Sequence, residues 1–293
     1  MFDHSTLVRA VQELMRKGVT ELPEDVRSAI ASARRKESGL AKAQLDAVLK
    51  SIGLSEKLGI PICQDTGVPI FFVWCNRFDE SVRSGIVDGV RAATNSVPLR
   101  PSVVHPITRE NRGDNIGAGV PEIHWIPSES DLLEMYYMPK GAGSENTSRY
   151  FNLPLTNPKK ALRQAVVETV LGAGGKTCPP TIIGVGIGST MSRAGLLAKK
   201  SHMRAVGHRH PEREISLLEQ AILKDVNALG IGPMGLGGKT TALDVHIEYA
   251  ACHTASLPVA INLQCWAARG AFLSMDANGR TKYSTRRATN ASN

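Results

Sequence analysis

Three cysteines lie in loops whose neighbours suit ligands of a metal cluster. Cys63 occurs in Pro-Ile-Cys-Gln-Asp-Thr-Gly, Cys178 in Gly-Lys-Thr-Cys-Pro-Pro, and Cys265 in Asn-Leu-Gln-Cys-Trp. Small residues in such turns let the backbone approach a bulky group closely. Three thiolates can hold three corners of a four-iron cluster and leave the fourth iron open as a Lewis acid. These residues therefore predict an iron–sulfur site that does chemistry at one iron.

The cysteine count and the chain start indicate a reducing compartment. The chain has five cysteines and begins with polar residues rather than an apolar leader. It also lacks a run of the roughly 20 apolar residues that a membrane span needs. We therefore expect a cytoplasmic protein without a membrane partner, in which loop cysteines favour metal binding or catalysis over disulfides.

Two other cysteines compete for the ligand roles. Cys75 ends an apolar run, which is typical of a buried core thiol. Cys252 stands beside His253, and on residue types alone it is as good a third ligand as Cys265. The choice between Cys252 and Cys265 therefore stays open at the level of the residues.

Periodicity and helix signals predict which elements position these loops. Residues 1–60 form a helical N-terminal part, with Ser5 or Thr6 capping the first helix. Strands are predicted over 68–75, 122–126, 132–138, 181–187, 245–249 and 259–263, and helices over 80–93, 161–171, 191–200 and 212–229. A polar, basic tail over 276–293 is expected to be extended or disordered. The pattern predicts an α/β fold, a single interleaved helix–strand domain over 1–293 with a helical N-terminal segment.

The charge favours a small anionic ligand over a nucleic acid. The net charge is +8, but the basic clusters are short and have no aromatic residues between them, unlike a nucleic-acid surface. A dispersed positive field suits an anionic substrate equally well. We therefore expect a small-molecule substrate and no nucleic-acid partner.

Other motifs suggest different protein classes. Gly238-Lys239-Thr240 looks like the end of a P-loop, although Pro233 stands where that pattern needs glycine; a P-loop-like nucleotide-binding protein is kept as the alternative class. The glycines at 184, 186 and 188 lack the third glycine of a dinucleotide fingerprint. Three histidines at 202, 208 and 210 could hold a metal, but nearby arginines favour an exposed basic turn.

Five segments together resemble one family. They are Cys-Gln-Asp-Thr-Gly at 63–67, Lys-Gly-Ala-Gly-Ser-Glu-Asn at 140–146, Cys-Pro-Pro followed by Gly-Val-Gly-Ile-Gly at 178–188, the glycine-rich stretch 230–238, and His253 with Cys265. In this order they resemble the iron–sulfur hydro-lyases of the class I fumarase and L-tartrate dehydratase family, specifically the alpha subunit. Ala142 replaces the middle one of three glycines usual in the family.

The resemblance implies a cofactor and a set of site residues. It implies a [4Fe-4S] cluster with one open iron site, held by Cys63, Cys178 and Cys265. It further implies catalytic roles for Asp65 and His253, and substrate-binding roles for Gln64, Arg100, Gly141 and Gly143. Each assignment has a structural alternative, since Asp65 could only cap its turn, His253 could be a core histidine, and Arg100 could be a surface charge.

The resemblance also implies a partner and a reaction. Single-chain members carry a second domain that supplies further groups, including the general base, whereas this chain ends soon after Cys265. We therefore expect a separate beta subunit and an α2β2 assembly acting on a small dicarboxylate. Residues 143–146 and 236–245 look more like fumarases, so fumarate hydratase is the expected activity and L(+)-tartrate dehydratase the alternative.

Overall fold

The structure, a computed structural model, describes residues 3–77 and 79–286. Within these residues the helices are α1 His4–Thr20, α2 Glu24–Lys36, α3 Gly39–Leu58, α4 Glu80–Ser96, α5 Ala142–Glu145, α6 Pro158–Ala173, α7 Met191–Ser201 and α8 Arg213–Asn227. The strands are β1 Val68–Cys75, β2 Glu122–Pro127, β3 Leu133–Lys140, β4 Arg149–Asn152, β5 Thr181–Ser189, β6 Ala242–Cys252, β7 Pro258–Gln264, β8 Ala271–Met275 and β9 Thr281–Ser284. The α/β class and the helical N-terminal segment are confirmed.

Helices α1, α2 and α3 make up the predicted helical N-terminal part. In α1 the cap is Asp3 rather than Ser5 or Thr6, because the Asp3 carboxylate accepts a hydrogen bond from the Thr6 N–H at 2.8 Å. An aspartate before the first turn satisfies an N–H that has no partner within the helix. Helix α3 runs from Gly39 to Leu58 and so lies within the predicted helical part.

The described residues divide into two compact units, each with its own sheet. The first unit contains residues 3–23, 51–77, 79–142 and 269–286, and the second contains residues 24–50 and 143–268. Each unit therefore takes segments from separate parts of the chain. The interpretation of residues 1–293 as one domain stays a prediction.

The first unit has a five-stranded sheet in the order β2-β1-β3-β8-β9. Strand β1 is parallel to β2, and the other neighbours are antiparallel. Its core joins β1, β3 and β8 to apolar faces of α1 and α4, with Phe71 and Tyr137 fully buried between them. The sequence of β1 is apolar throughout because both of its faces are covered.

The second unit has a four-stranded sheet in the order β4-β7-β5-β6. Strand β5 is parallel to β6 and antiparallel to β7. The glycines of β5 serve helix packing, because a Cβ atom at Gly186 would lie 2.0 Å from the carbonyl oxygen of Ala194 in α7, and one at Gly184 would lie 2.3 Å from that of Ala198. Their spacing therefore reflects close approach of helix and strand rather than a dinucleotide site.

Three elements of the described residues escaped the sequence prediction. The short strands β4 and β8 and the one-turn helix α5 had no periodic pattern long enough to be recognised. Of the two alternatives for the tail, residues 281–284 follow the extended one, because they pair with β8 as strand β9; residues 287–293 lie outside the described part. None of the helices in the described residues is long and apolar enough to cross a membrane.

Candidate active site

The Cys63 loop, residues 61–67, precedes β1 in the first unit. Cys63 is half-buried and Gln64 is exposed. Gly67 adopts a φ of +82°, and a Cβ atom there would lie 2.7 Å from the Pro139 carbonyl carbon of β3. Because only glycine fits this conformation without strain, Gly67 fixes the direction in which the loop leaves the sheet.

Asp65 has a carboxylate that is oriented by backbone groups. Its Oδ1 accepts a hydrogen bond from the Gly67 N–H at 3.0 Å, and its Oδ2 accepts one from the Ala142 N–H at 2.9 Å. A Cβ atom at Gly141 would lie 3.1 Å from Oδ2, so Gly141 is placed against this carboxylate. A carboxylate has about four acceptor positions, and those not used by the backbone remain for a ligand.

Arg100 lies beside the Cys63 loop because Thr66 holds its backbone. The Thr66 Oγ1 accepts from the Arg100 N–H at 3.0 Å and donates to the Arg100 carbonyl at 3.3 Å. Arg100 is exposed, and no hydrogen bond or ion pair of its guanidinium group occurs within the described residues. The structure thus brings Cys63, Gln64, Asp65, Arg100 and Gly141 into one region of the first unit.

The Cys178 turn, residues 174–180, lies in the second unit. Cys178 follows a 3-10 turn and has left-handed backbone angles, with φ 51° and ψ 63°. Its residue surface is exposed, and its carbonyl oxygen accepts a hydrogen bond from the Trp266 N–H at 3.2 Å. A non-glycine residue rarely adopts this conformation, which is a mark of functional turns.

The second unit brings Cys265 to the Cys178 turn. Strand β5 follows Cys178 directly and pairs with β7, whose last residue, Gln264, is opposite Ile182. Cys265 therefore follows β7 at the sheet end where β5 begins, and the hydrogen bond from Trp266 joins the two segments directly. These two predicted ligands are thus neighbours in the fold although they are 87 positions apart in the sequence.

Cys252 and His253 lie at the other end of this sheet. Cys252 is opposite Ser189, the last residue of β5. From Ile182 to Ser189, at about 3.3 Å per residue, the span is roughly 23 Å. The register therefore favours Cys265 over Cys252 as the companion of Cys178. His253 is exposed in the turn after β6 and is not brought together with Cys178 or Cys265 in this unit.

Cys75 has the environment of a core thiol. It is only 2% exposed, at the end of β1. Burial raises the pKa of its thiol, since the charged thiolate is poorly solvated there. This agrees with its interpretation as a structural residue rather than a ligand.

A polar network anchors residues 143–146 within the second unit. The Glu145 carboxylate accepts from Lys199 Nζ and from Asn262 Nδ2, both at 2.7 Å. Asn262 is three residues before Cys265 on β7, so the network connects that strand to the start of the segment at Gly143. A Cβ atom at Gly143 would lie 3.3 Å from the Lys176 carbonyl oxygen, which places Gly143 beside the Cys178 turn.

A polar cavity of ≈ 370 Å³ opens next to Gly143. Its lining includes Arg149 and Lys176, which are both exposed and make no ion pair within the described residues. No acidic residue is among the described residues that line the cavity, and two cationic groups there produce a positive potential that favours an anion. This cavity agrees with the expectation of an anionic small molecule.

The P-loop-like segment already holds a carboxylate of the protein. The N–H groups of Lys239 and Thr240 donate to the Glu37 carboxylate at 2.7–3.0 Å, and Glu37 is only 8% exposed. A phosphate would need these same N–H groups. The segment instead packs on the Cys178 turn, because the Met234 N–H donates to the Pro179 carbonyl at 2.8 Å.

The histidine cluster is not an exposed turn throughout. His202 is buried, with Nε2 at 2.9 Å from the Asn262 Oδ1, so the prediction is wrong for this residue; His208 is exposed. The nearby Arg204 and Arg209 pair with the buried carboxylates of Glu219 and Asp244. The arginines thus neutralise internal acids that periodicity alone could not reveal.

The donor set fits an iron–sulfur cluster in its chemistry. Cys63, Cys178 and Cys265 are all thiols outside disulfides, and none of the three is fully buried. Thiolates are the usual ligands of such clusters. In the described part of the chain, no group of three or more His, Cys, Asp or Glu side chains is arranged to hold a single metal ion.

Sequence reasoning missed Arg269 and Lys176. Arg269 is 4% exposed, and its Nη2 donates to the carbonyl oxygen of Asp65. Its signal was an arginine inside the apolar stretch after Cys265. Lys176 stands two residues before Cys178, and its signal was a cation inside a predicted ligand loop.

Comparison with known proteins decides the family. The family model described as fumarate hydratase (Fumerase) matches residues 8–273. The chain belongs to this family. A Methanocaldococcus jannaschii protein with the provisional name L(+)-tartrate dehydratase subunit alpha is 46% identical over 269 residues, which cover 89% of this chain and 94% of that protein.

Two further relatives of this Fumerase chain carry related names. The L(+)-tartrate dehydratase subunit alpha of Escherichia coli K12 is 33% identical over 265 residues, 88% of this chain and 87% of that protein. A Geobacillus stearothermophilus protein with the provisional name fumarate hydratase class I is 33% identical over 286 residues, 93% of this chain but 55% of that protein. The resemblance in the sequence motifs is thereby confirmed at the level of the hydro-lyase family.

Proposed function

We propose that the chain is the alpha subunit of a [4Fe-4S] hydro-lyase that acts on a four-carbon dicarboxylate, with L(+)-tartrate as the first candidate. The observation that carries this choice is the 46% identity to the Methanocaldococcus jannaschii relative named for tartrate dehydratase. This identity supports L(+)-tartrate more strongly than the 33% identity of the fumarase relative supports fumarate, the substrate that the sequence motifs favoured.

Fumarate hydratase is the second candidate. It is favoured by the description of the family model and by the Geobacillus stearothermophilus relative, at 33% identity. Both reactions move water across a C–C bond of a four-carbon dicarboxylate. They therefore require similar groups for the carboxylates and for proton transfer.

The proposal assigns the cluster to Cys63, Cys178 and Cys265, which provide three thiolates for four irons. Such a cluster supplies a Lewis acid, at its open iron, for the hydroxyl group of the substrate. The assignment of Cys63 rests on its motif. The assignment of Cys178 and Cys265 also has the support of their shared sheet end and the Trp266 hydrogen bond.

The chain's own side chains bind and orient the dicarboxylate in this proposal. The exposed guanidinium of Arg100 can donate two parallel hydrogen bonds to a carboxylate, and Gln64 offers an amide beside it. Gly141 and Gly143 are proposed to let the substrate approach the backbone closely, since they carry no side chain. The carboxylate of Asp65 is held by the N–H groups of Gly67 and Ala142, so it can exchange a proton without first reorienting.

Elimination of water requires removal of a proton from one carbon and delivery of a proton to the leaving hydroxyl oxygen on the next. Asp65 is proposed for one of these transfers. The role of His253 rests on its motif alone, because the register of β5, β6 and β7 separates it from Cys178 and Cys265. The general base is proposed to lie on a partner.

A beta subunit is the proposed partner, in an α2β2 assembly within the cytoplasm. Two relatives are named as alpha subunits, and 55% of the Geobacillus stearothermophilus relative is covered by the match. We expect the purified chain to bind a cluster but to turn over slowly until a beta subunit is added. Full activity of the chain alone would contradict this part of the proposal.

Metal analysis tests the cluster. After anaerobic reconstitution we expect about four irons and four acid-labile sulfides per chain. Substitution of alanine for Cys63, Cys178 or Cys265 should abolish this content, whereas the matched variant Cys252→Ala should retain it. A wild-type chain without iron or sulfide would refute the proposed function.

Kinetic comparison tests the substrate. With the beta subunit present, kcat/KM for L(+)-tartrate should exceed that for fumarate and for L-malate. The reverse order would make fumarate hydratase the function. Exposure to air should inactivate the enzyme, because an iron without a thiolate ligand is readily oxidised and lost, and iron with a thiol reductant should restore part of the activity.

A further inference from the structure

Arg269 is a buried cation in the first unit, beneath the Cys63 loop. It lies two residues before the first residue of β8 and is 4% exposed. Its Nη2 donates to the Asp65 carbonyl oxygen, and its Nε is buried without a hydrogen-bond partner. Within residues 3–77 and 79–286, no carboxylate forms an ion pair with this guanidinium.

This arrangement is costly for the protein by itself. A buried charge loses its hydration and is stabilised only by hydrogen bonds or by an opposite charge. A carbonyl oxygen provides a partial charge for one N–H group of Arg269. The nearby Tyr137 does not provide a full negative charge. Its complete burial raises the pKa of its hydroxyl, which therefore stays neutral.

Arginines elsewhere in the chain show the usual solution. Arg204 and Arg209 are less buried than Arg269, yet each contacts a buried carboxylate, Glu219 or Asp244. Arg269 is the more buried residue and lacks such a partner in the described structure. Its charge therefore indicates an anion that joins the folded chain at this place.

We infer that Arg269 is a positioning residue whose guanidinium holds the Cys63 loop at the Asp65 carbonyl and compensates the negative charge of a thiolate-bound iron–sulfur cluster at Cys63. The inference rests on the proposed function, since it takes the cluster as the missing anion. Asp65 is two residues from Cys63, so a cation fixed at its carbonyl acts on the ligand loop from the protein side. The role differs from that of Arg100, whose exposed guanidinium faces solvent.

Two variants separate the charge from the hydrogen bond. Arg269→Lys keeps a positive charge, and Arg269→Gln keeps a donor for the Asp65 carbonyl but removes the charge. The matched control is Arg16→Gln, which removes an arginine of the same unit that pairs with Glu13 on the surface. All chains are prepared anaerobically, with and without reconstituted cluster.

The readouts are iron and sulfide content, the rate of iron release to a chelator, and urea unfolding of the cluster-free chain. We expect Arg269→Gln to release iron about tenfold faster than wild type, as is usual when an outer-shell partner is lost. The rate of iron release from Arg269→Lys should lie between those of wild type and Arg269→Gln. The rate from Arg16→Gln should equal that of wild type. The cluster-free Arg269→Gln chain should be at least as stable as the cluster-free wild type, because it no longer buries a charge.

Some results would overturn the inference. Iron release from Arg269→Gln at the wild-type rate, or slower than from Arg269→Lys, would show that the charge does not serve the cluster. Loss of the folded state in both cluster-free variants would show a purely structural role. Absence of iron from the wild type would refute the proposed function together with the inference, whereas equal retention by loaded wild type and Arg269→Gln would refute the inference alone.

Discussion

At the scale of single residues, Gly67 is the position where the backbone of the Cys63 loop tolerates no side chain. Its φ of +82° favours glycine, and a Cβ atom would also press against the backbone of Pro139 and Lys140 in β3. These are two separate penalties, one from conformation and one from crowding. The orientation of Asp65, which accepts from the Gly67 N–H, depends on both.

Gly67→Ala should therefore destabilise the chain more than an alanine at another glycine with positive φ. The matched control is Gly59→Ala, since Gly59 has a φ of +65° but open space around its Cα. We expect a loss of about 1 kcal/mol for Gly59→Ala and about 3 kcal/mol for Gly67→Ala in urea unfolding of the cluster-free chain. Equal losses would show that β3 yields to the added methyl group.

At the scale of elements, the sheet of the second unit sorts the predicted site residues. Antiparallel β7 returns the chain to the beginning of β5, so Cys265 meets the Cys178 turn there. Cys252, the last residue of β6, is opposite the last residue of β5, and His253 follows it in the connection to β7. Sheet register, rather than distance along the chain, thus decides which residues can share a ligand.

His253→Ala should leave the cluster intact. Because His253 lies at the other sheet end from Cys178 and Cys265, we expect unchanged iron and sulfide content, while Cys265→Ala loses both. Steady-state kinetics of loaded His253→Ala with the beta subunit then reports any catalytic role separately. Loss of iron from His253→Ala would contradict the placement given by the strand register.

The link between Glu37 and the N–H groups of Lys239 and Thr240 also belongs to this scale. Glu37 follows α2 and accepts hydrogen bonds from these two N–H groups, which directly follow the 230–238 segment that packs on the Cys178 turn. Glu37→Gln replaces a charge-assisted acceptor by a neutral one with a single oxygen, so we expect a loss of about 1–3 kcal/mol in urea unfolding. The exposed Glu129→Gln is the control and should change stability by less than about 0.5 kcal/mol.

ATP provides the second arm of the Glu37 experiment. The carboxylate occupies N–H groups that a phosphate would need, so ATP should not raise the Tm of the wild-type chain. A clear rise in Tm would return the nucleotide-binding class to consideration. Unchanged stability of Glu37→Gln would show that the segment does not depend on these hydrogen bonds.

At the scale of the whole molecule, buried ion pairs couple stability to pH. Asp244 is fully buried, and burial by itself opposes its ionisation. Hydrogen bonds from His246 and from the Gly207 N–H, together with the charge of Arg209, outweigh burial and lower the pKa of the Asp244 carboxyl below its ordinary value of 3.8. Near that pH the unfolded chain binds more protons at Asp244 than the folded chain does.

The stabilisation from Asp244 should therefore be complete above pH ~5 and should be lost as the pH falls below about 4. We expect Asp244→Asn to be less stable by about 3 kcal/mol at pH 7 and to show a flatter loss of stability on acidification. Urea unfolding of the cluster-free chain, from about pH 3 to about pH 7, measures both the stability difference and its change with pH. This pH range extends from near the ordinary carboxyl pKa to about three units above it. The exposed Asp131→Asn should follow the wild-type curve; a wild-type slope in Asp244→Asn would contradict the assignment.

The net charge of +8 also acts at this scale. This charge agrees with a small anionic substrate. Two of the positive side chains, Arg149 and Lys176, line the cavity beside Gly143. Charge alone does not distinguish tartrate from fumarate, because both are dicarboxylates of the same length. In the proposed function, the beta subunit is the source of further discrimination between these substrates.

The sequence by itself determined the local features of this protein. Periodicity and turn residues gave the N-terminal helices and strands such as β1, because these signals depend on neighbours along the chain. The cysteine loops and the five segments together indicated the hydro-lyase family, which the family model over residues 8–273 confirms. Short strands such as β4 escaped because they hold too few residues to show a period.

Only the tertiary structure decided how those features are used. Strand register separated Cys265 from Cys252 and moved His253 away from Cys178, since pairing between distant segments leaves no trace in local spacing. Burial likewise distinguishes Arg269 from the other arginines and lysines of the sequence. Its guanidinium is removed from water and has an Nε without a hydrogen-bond partner. The physical reason is that hydrogen-bond pairing and desolvation depend on what surrounds a residue in space, whereas periodicity depends only on its neighbours in the chain.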